Sequence, residues 1–212
     1  MALTVPTPRT PLPVGTPPPV GRNGRAGAEP LGGWSRWYEQ QLGWATAGVA
    51  PVRLLTGLRF DALVVPAAAG HAALRRVGRA GPVALMGERM SLLVAAGSAD
   101  ELPGLLDWLE WGPVALTLTA LGTGGRITAP PPPGRPGPPG AAVWLRPPWS
   151  PHGQNGEPVL PALSGFGSRG GDTPDLVRLV DAVATECHRA RLTRARKRTV
   201  CEEPAAQPLA FS

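Results

Sequence analysis

The sequence predicts an α+β fold, and three observations predict it. Short apolar, β-branched runs alternate along the chain with helical patterns of apolar residues. Proline crowds residues 6–19 and 130–139 and leaves ordinary globular composition between them. A cap followed by proline, Asp172-Thr173-Pro174, starts a last helix whose apolar face runs out into a cationic segment.

The elements follow in order. WSRWYEQQLGW, from Trp34, puts Trp34, Trp37, Tyr38 and Gln41 on one helical face, with Gly43 placed to end the helix. Leu54–Thr56 and Phe60–Val65 have strand character around Gly57. Pro66 closes the second strand, because proline cannot donate to a ladder. AAAGHAALRRV at 67–77 predicts a helix. Pro82–Met86 and Ser91–Ala95 predict a hairpin turning at Gly87-Glu88. Ser98 and Glu101 form a capping-box pattern before LLDWLEW. Pro103 allows only the first turn to precede it, so the helix is expected over about 100–111. VALTLTAL at 114–121 predicts a strand, and 126–129 and 141–145 predict two more across the proline-rich loop. On the last helix Leu176, Leu179, Val180, Val183 and Cys187 share a face.

These elements divide the chain into a disordered proline-rich tail at 1–33, a domain at 34–150, a linker at 151–171, a helix with a basic end at 172–198 and a tail at 199–212. Proline removes backbone donors, and the first segment has few apolar side chains to bury. It is either a solvated tail or a polyproline ligand for a partner. The 212 residues suffice for one domain of ordinary size plus tails. Seven of the aromatics are Trp, each needing a large apolar contact, which predicts a true core.

Charge is localised. The formal net charge is +6, and residues 189–198, RARLTRARKR, carry all of it. The domain balances its arginines against its acids. Partners that are acidic, DNA or RNA above all, are therefore expected at Arg189, Arg191, Arg194, Arg196, Lys197 and Arg198. A solvated helix end favoured by the macrodipole explains the same run. Arginine outnumbers lysine twenty to one, as a GC-rich genome would produce. The two cysteines, Cys187 and Cys201, form no CxxC and no disulfide framework, so reduced thiols in a cytoplasmic setting are expected. No apolar run approaches the ~18 residues of a membrane span. A membrane partner is not expected.

LLTGLRFDALVV at 54–65, GPVALMGERMSLLVAAG at 81–97 and LGTGGRITAPPPPG at 121–134 stand in an order and spacing that resembles the primase-polymerase domain of actinobacterial and plasmid replication proteins. Thr56-Gly57 matches the family's turn into an apolar strand, Gly81-Pro82-Val83 its second strand, and Gly124-Gly125 through Pro131 its glycine-glycine strand. The resemblance covers about residues 34–150. It implies an RRM-like mixed sheet flanked by helices, with the site on the sheet face. It also implies that the chemistry has been lost. Active members end the first apolar strand in a metal-binding pair of Asp, where Val65-Pro66-Ala67 stand here. Their histidine near the nucleotide is replaced by Arg89-Met90-Ser91, and their third Asp by Thr117-Leu118-Thr119. Nucleotidyl transfer needs metal ions, and Mg²⁺ needs oxygen ligands that Val, Ala and Thr do not supply with charge. Asp61 is the one nearby acid, at the wrong offset. No catalytic residue, no metal site and no cofactor is expected.

Other candidates are weaker. GTGGR at 122–126 looks like a phosphate loop but lacks its lysine and helix, so a strand-to-strand turn is expected. His71, His152 and His188 are scattered. Asp107 and Glu110 fit a solvated acidic face. Trp108 and Trp111 are expected to pack in the core rather than stack on bases. The expectation is a degenerate primase-polymerase-like protein without nucleotidyl transfer that retains nucleic-acid or nucleotide binding. The alternative is a protein-interaction or regulatory module reusing the fold.

Overall fold

A computed structural model describes residues 33–78, 80–149, 158–163 and 175–202, the side chains of 197 and 199–202 excepted. The tail expected over 1–33 lies outside these residues apart from Gly33. So do 151–157 and 164–171 of the expected linker and the chain beyond 202. The fold is mixed α+β, with two antiparallel sheets and, among the described residues, four helices.

Helix α1 spans Gly33–Leu42 and ends at Gly43, whose φ of 63° is the left-handed conformation that stops a helix. A short strand β1, Thr46–Ala47, not foreseen in the sequence, pairs with β2, Arg53–Leu55. Strand β3, Phe60–Pro66, runs directly into α2, Ala67–Val77. The expected hairpin forms from β4, Val83–Met86, and β5, Arg89–Ala95. Helix α3, Ser98–Trp108, leads to β6, Thr119–Leu121, then β7, Arg126–Thr128, and β8, Val143–Arg146. Helix α4 occupies Leu176–Glu202.

The larger sheet has the order β6-β3-β5-β4-β8 and the smaller one β1-β2-β7. Within the larger sheet β3-α2-β4-β5-α3-β6 is one continuous β-α-β-β-α-β unit whose first strand is central. Register follows burial. Leu63 and Val65 of β3 join Leu92 and Val94 of β5 in a core closed by Ala69 and Ala73 of α2, Leu102 and Leu105 of α3, and Leu179, Val183 and Cys187 of α4. The alternate residues, Phe60, Ala62 and Leu93, face a second core with Tyr38, Trp44, Leu54 and Ile127. The period-2 alternation of β3 thus separates a helical layer from a layer made of α1 and the small sheet.

Several expectations need correction. Ser98 does not cap α3: Gly97, which has no side chain to cap with, holds the N-cap position in the left-handed conformation. Residues 114–118 are not strand. Val114 N–H donates to Trp111 O in a turn, and α4 side chains take up the carbonyls of Ala115 and Thr117. Trp108 is not core; it is 71% exposed, because α3 buries the face of Leu102 and Leu105. Helix α4 continues four residues past the expected end at 198. Asp175 Oδ1 accepts Val177 N–H at 2.8 Å and caps its described start; Asp172–Pro174 lie outside the described residues.

Candidate functional site

Two turns lock the sheets together. The Thr56 hydroxyl donates to Gly122 O at 2.6 Å, and Thr56 N–H donates to Gly125 O at 3.0 Å. A Cβ on Gly57 would overlap Thr123. The GTGGR segment is thus the β6–β7 turn, seated against the Thr56-Gly57 turn. Both glycine motifs serve a close approach of backbones.

Beside this junction a cleft of about 310 Å³ opens between the sheets. Val64 forms part of its wall from β3, with Arg89 and Ser91 from β5. Arg53 of β2 and Arg126 and Thr128 of β7 line it from the small sheet. Val64 and Ser91 are direct cross-strand partners, as are Arg53 and Thr128. No Asp or Glu lines the cleft. All three arginines are exposed, and among the described residues none has an ion-pair partner. Three uncompensated guanidinium groups give the cleft a cationic lining above a largely apolar floor, and a planar guanidinium can bind oxyanion oxygens in pairs.

The strand residues compared with the primase-polymerase pattern fall into this frame. Val65 and Pro66 are buried, Val65 in the helix-side core, and Ala67 begins α2. Asp61 lies on the far face of the sheet. It is 1% exposed, and its Oδ2 accepts Ala99 N–H at 2.9 Å. Met90 is core, whereas its neighbours Arg89 and Ser91 line the cleft. Leu118 packs against the helix-side core, and Thr119 pairs with Val64. The donor set of the cleft does not fit a magnesium ion, which requires carboxylates there. Among the described residues no three His, Cys, Asp or Glu side chains converge.

The basic segment of α4 is elsewhere. Arg189 Nη1 donates to Glu186 Oε1 at 2.8 Å, and that carboxylate also takes Arg76 Nη1 at 3.0 Å. Arg191 Nη1 donates to Ala115 O at 2.7 Å. Arg194, Arg196 and Arg198 are exposed; the side chain of Lys197 lies outside the described residues. Cys187 is core, with its thiol against Thr117 O. His188 lies against Trp111, whose indole N–H reaches Asp181 Oδ1 at 3.3 Å.

Sequence reasoning did not assemble Arg53, Arg89 and Arg126. They are dispersed over three strands, and only the polar positions within apolar strands marked them. Comparison with protein-family models, with curated proteins and with solved structures finds no match.

Proposed function

We propose that the chain is a non-catalytic, phosphate-binding relative of the primase-polymerase domains, holding a nucleotide or a nucleic-acid strand between its two sheets. The observation that carries this is the cleft itself: Arg53, Arg89 and Arg126 converge on it and no carboxylate does. The β-α-β-β-α-β unit with its first strand central has the connectivity of an RRM-like sheet, which supports the fold that the sequence resemblance implies. Loss of the acids turns a metal-and-phosphate site into a phosphate site. The arginines would supply the neutralising charge that metal ions supply in an active enzyme.

The test is binding of a fluorescent nucleoside triphosphate and of a short labelled single strand, with and without Mg²⁺, alongside a primer-extension assay. Binding should be independent of Mg²⁺, weaken with salt and fall at least about tenfold in Arg53→Ala combined with Arg126→Ala. No nucleotide should be incorporated. Absence of binding at about 50 mM salt, or Mg²⁺-dependent extension, overturns the proposal.

The protein-interaction reading has one observation of its own. Strand β8 is an edge of the larger sheet, and Val143 and Leu145 on one of its faces are exposed. A partner strand added to β8 would cover them. Val143→Lys would abolish such a complex and leave phosphate binding intact.

A further inference from the structure

Helix α4 outruns the domain. Cys187 is its last buried described residue, and the helix continues to Glu202, an extension of about 22 Å at 1.5 Å per residue. From Arg191 onward every described side chain is exposed. No acid occurs between Cys187 and Cys201.

The five arginines of this extension are arranged in two ridges. Arg189 and Arg196 are seven apart and stack on one side. Arg191, Arg194 and Arg198 follow spacings of three and four and stack on another side, Arg191 at the domain end on the Ala115 carbonyl and Arg194 and Arg198 beyond it. At 3.6 residues per turn the two ridges lie about 180° apart. Between them lies a strip with Leu192, 50% exposed, and Ala195.

We infer that this extension is a duplex-DNA-binding helix that enters the major groove, each arginine ridge meeting one phosphate wall. A B-form major groove is about 12 Å wide and admits one α-helix, with a backbone on either side. A helix lying on a flat anionic surface needs cations on one face only. Opposed ridges are what a groove requires. The strip of Leu192 and Ala195 faces the base edges, where thymine methyl groups offer apolar contacts. The other polyanions fit less well. Single strands are held by aromatic platforms, and residues 189–198 contain no aromatic. The major groove of A-form RNA is too narrow for side chains to read. A membrane-surface helix needs a broad apolar face opposite its cations, and here the opposite face is cationic. Arg189 is not lost to the ridge through its pair with Glu186, because Arg76 also holds that carboxylate and remains when Arg189 turns to a phosphate.

This inference is independent of the cleft. It is tested on the full chain with a labelled DNA duplex of about 20 base pairs, one turn of groove per ~10 base pairs leaving room for the helix. The same sequence as single-stranded DNA, an RNA duplex and phosphatidylserine vesicles serve as competitors. The duplex should be preferred, displaced by the major-groove dye methyl green and not by the minor-groove ligand netropsin. Arg194→Ala with Arg198→Ala should weaken binding about tenfold and lower the salt slope by about two; Arg196→Ala should lower it by about one. Arg53→Ala with Arg126→Ala should leave duplex affinity unchanged, so a failure of the cleft and a failure of the helix give different patterns. All these positions are exposed, and unchanged thermal unfolding verifies that the variants fold. Dependence on one ridge alone, displacement by netropsin, preference for single strands, RNA or vesicles, or duplex binding lost only in the cleft variant overturns the inference.

Discussion

Asp61 Oδ2 accepts the backbone N–H of Ala99 at 2.9 Å, joining the start of β3 to the first turn of α3. This acid is therefore a structural cap. It is buried on the helix side of the sheet, with Gly122 close enough that a Cβ there would stand 3.9 Å from both carboxylate oxygens. Asp61→Ala removes the acceptor from a helix N-terminal donor and should cost about 1–3 kcal/mol. Asp61→Asn keeps an acceptor and should cost less. Urea unfolding measures both. Phosphate binding by the folded fraction should not change; its loss in a folded Asp61→Asn protein would place the carboxylate at the ligand.

Gly57 lies so close against Thr123 that no side chain fits on it. Gly57 has φ 87°, and any Cβ on it would overlap Thr123 Cα and N. Gly57→Ala combines left-handed strain with a collision between backbones, so a loss of more than about 3 kcal/mol is expected. Gly124, in the facing turn, has φ 77° and nothing within 4 Å of a Cβ. Gly124→Ala should cost only the conformational strain, about 1–2 kcal/mol. Equal losses in the two variants would remove the packing explanation.

Local signals were legible where local physics decides. Helix α2 occupies the expected 67–77, because its helix formers follow a proline that ends the strand. The hairpin β4–β5 turns where Gly87 supplies a φ of 55°. Elsewhere tertiary contacts won. Ser98 and Glu101 have the capping-box pattern, yet a residue 38 positions away supplies the side-chain acceptor for α3. Residues 114–118 have β-branched alternation, but their carbonyls meet α4, which local sequence does not reveal. The cleft was legible only in part: Arg53, Arg89 and Arg126 stand out in sequence as charges within apolar strands, whereas their convergence depends on pairing β2 with β7 and packing two sheets.

Cys187 provides a test of burial. Desolvation pushes its thiol up to about 11; Arg89 and Arg194 pull it back, and Glu186 adds to the rise. A thiol raised from its ordinary value of 9.0 favours the protonated form in the folded state. The stabilisation is complete below about 9 and is lost as pH rises through about 11. In a Cys201→Ser background, alkylation of the native protein should be far slower than that of the unfolded chain. Arg194→Ala removes a cation that favours the thiolate and should slow it further. A faster reaction in that variant would contradict the sign.

Tyr38 is the one tyrosine in the chain, so its ionisation can be followed alone. It is fully buried, donates its hydroxyl to Pro130 O at 2.8 Å and accepts Trp144 Nε1–H at 2.9 Å. Burial raises the phenol far above its ordinary value of 10.0, and the Trp144 donor offsets only part of that. The protonated form is favoured in the folded state, so this contribution is present below pH 10 and declines above it. Phenolate absorbance should stay absent through the ordinary range and appear together with alkaline unfolding. Tyr38→Phe strands the indole N–H and the Pro130 carbonyl and should cost about 1–3 kcal/mol. Adding Trp144→Phe removes the orphaned donor, so the double variant should lose less than the sum of the two single ones. Strict additivity would mean that the two side chains act separately, and the bridge from α1 through Trp144 to β8 would not be a unit.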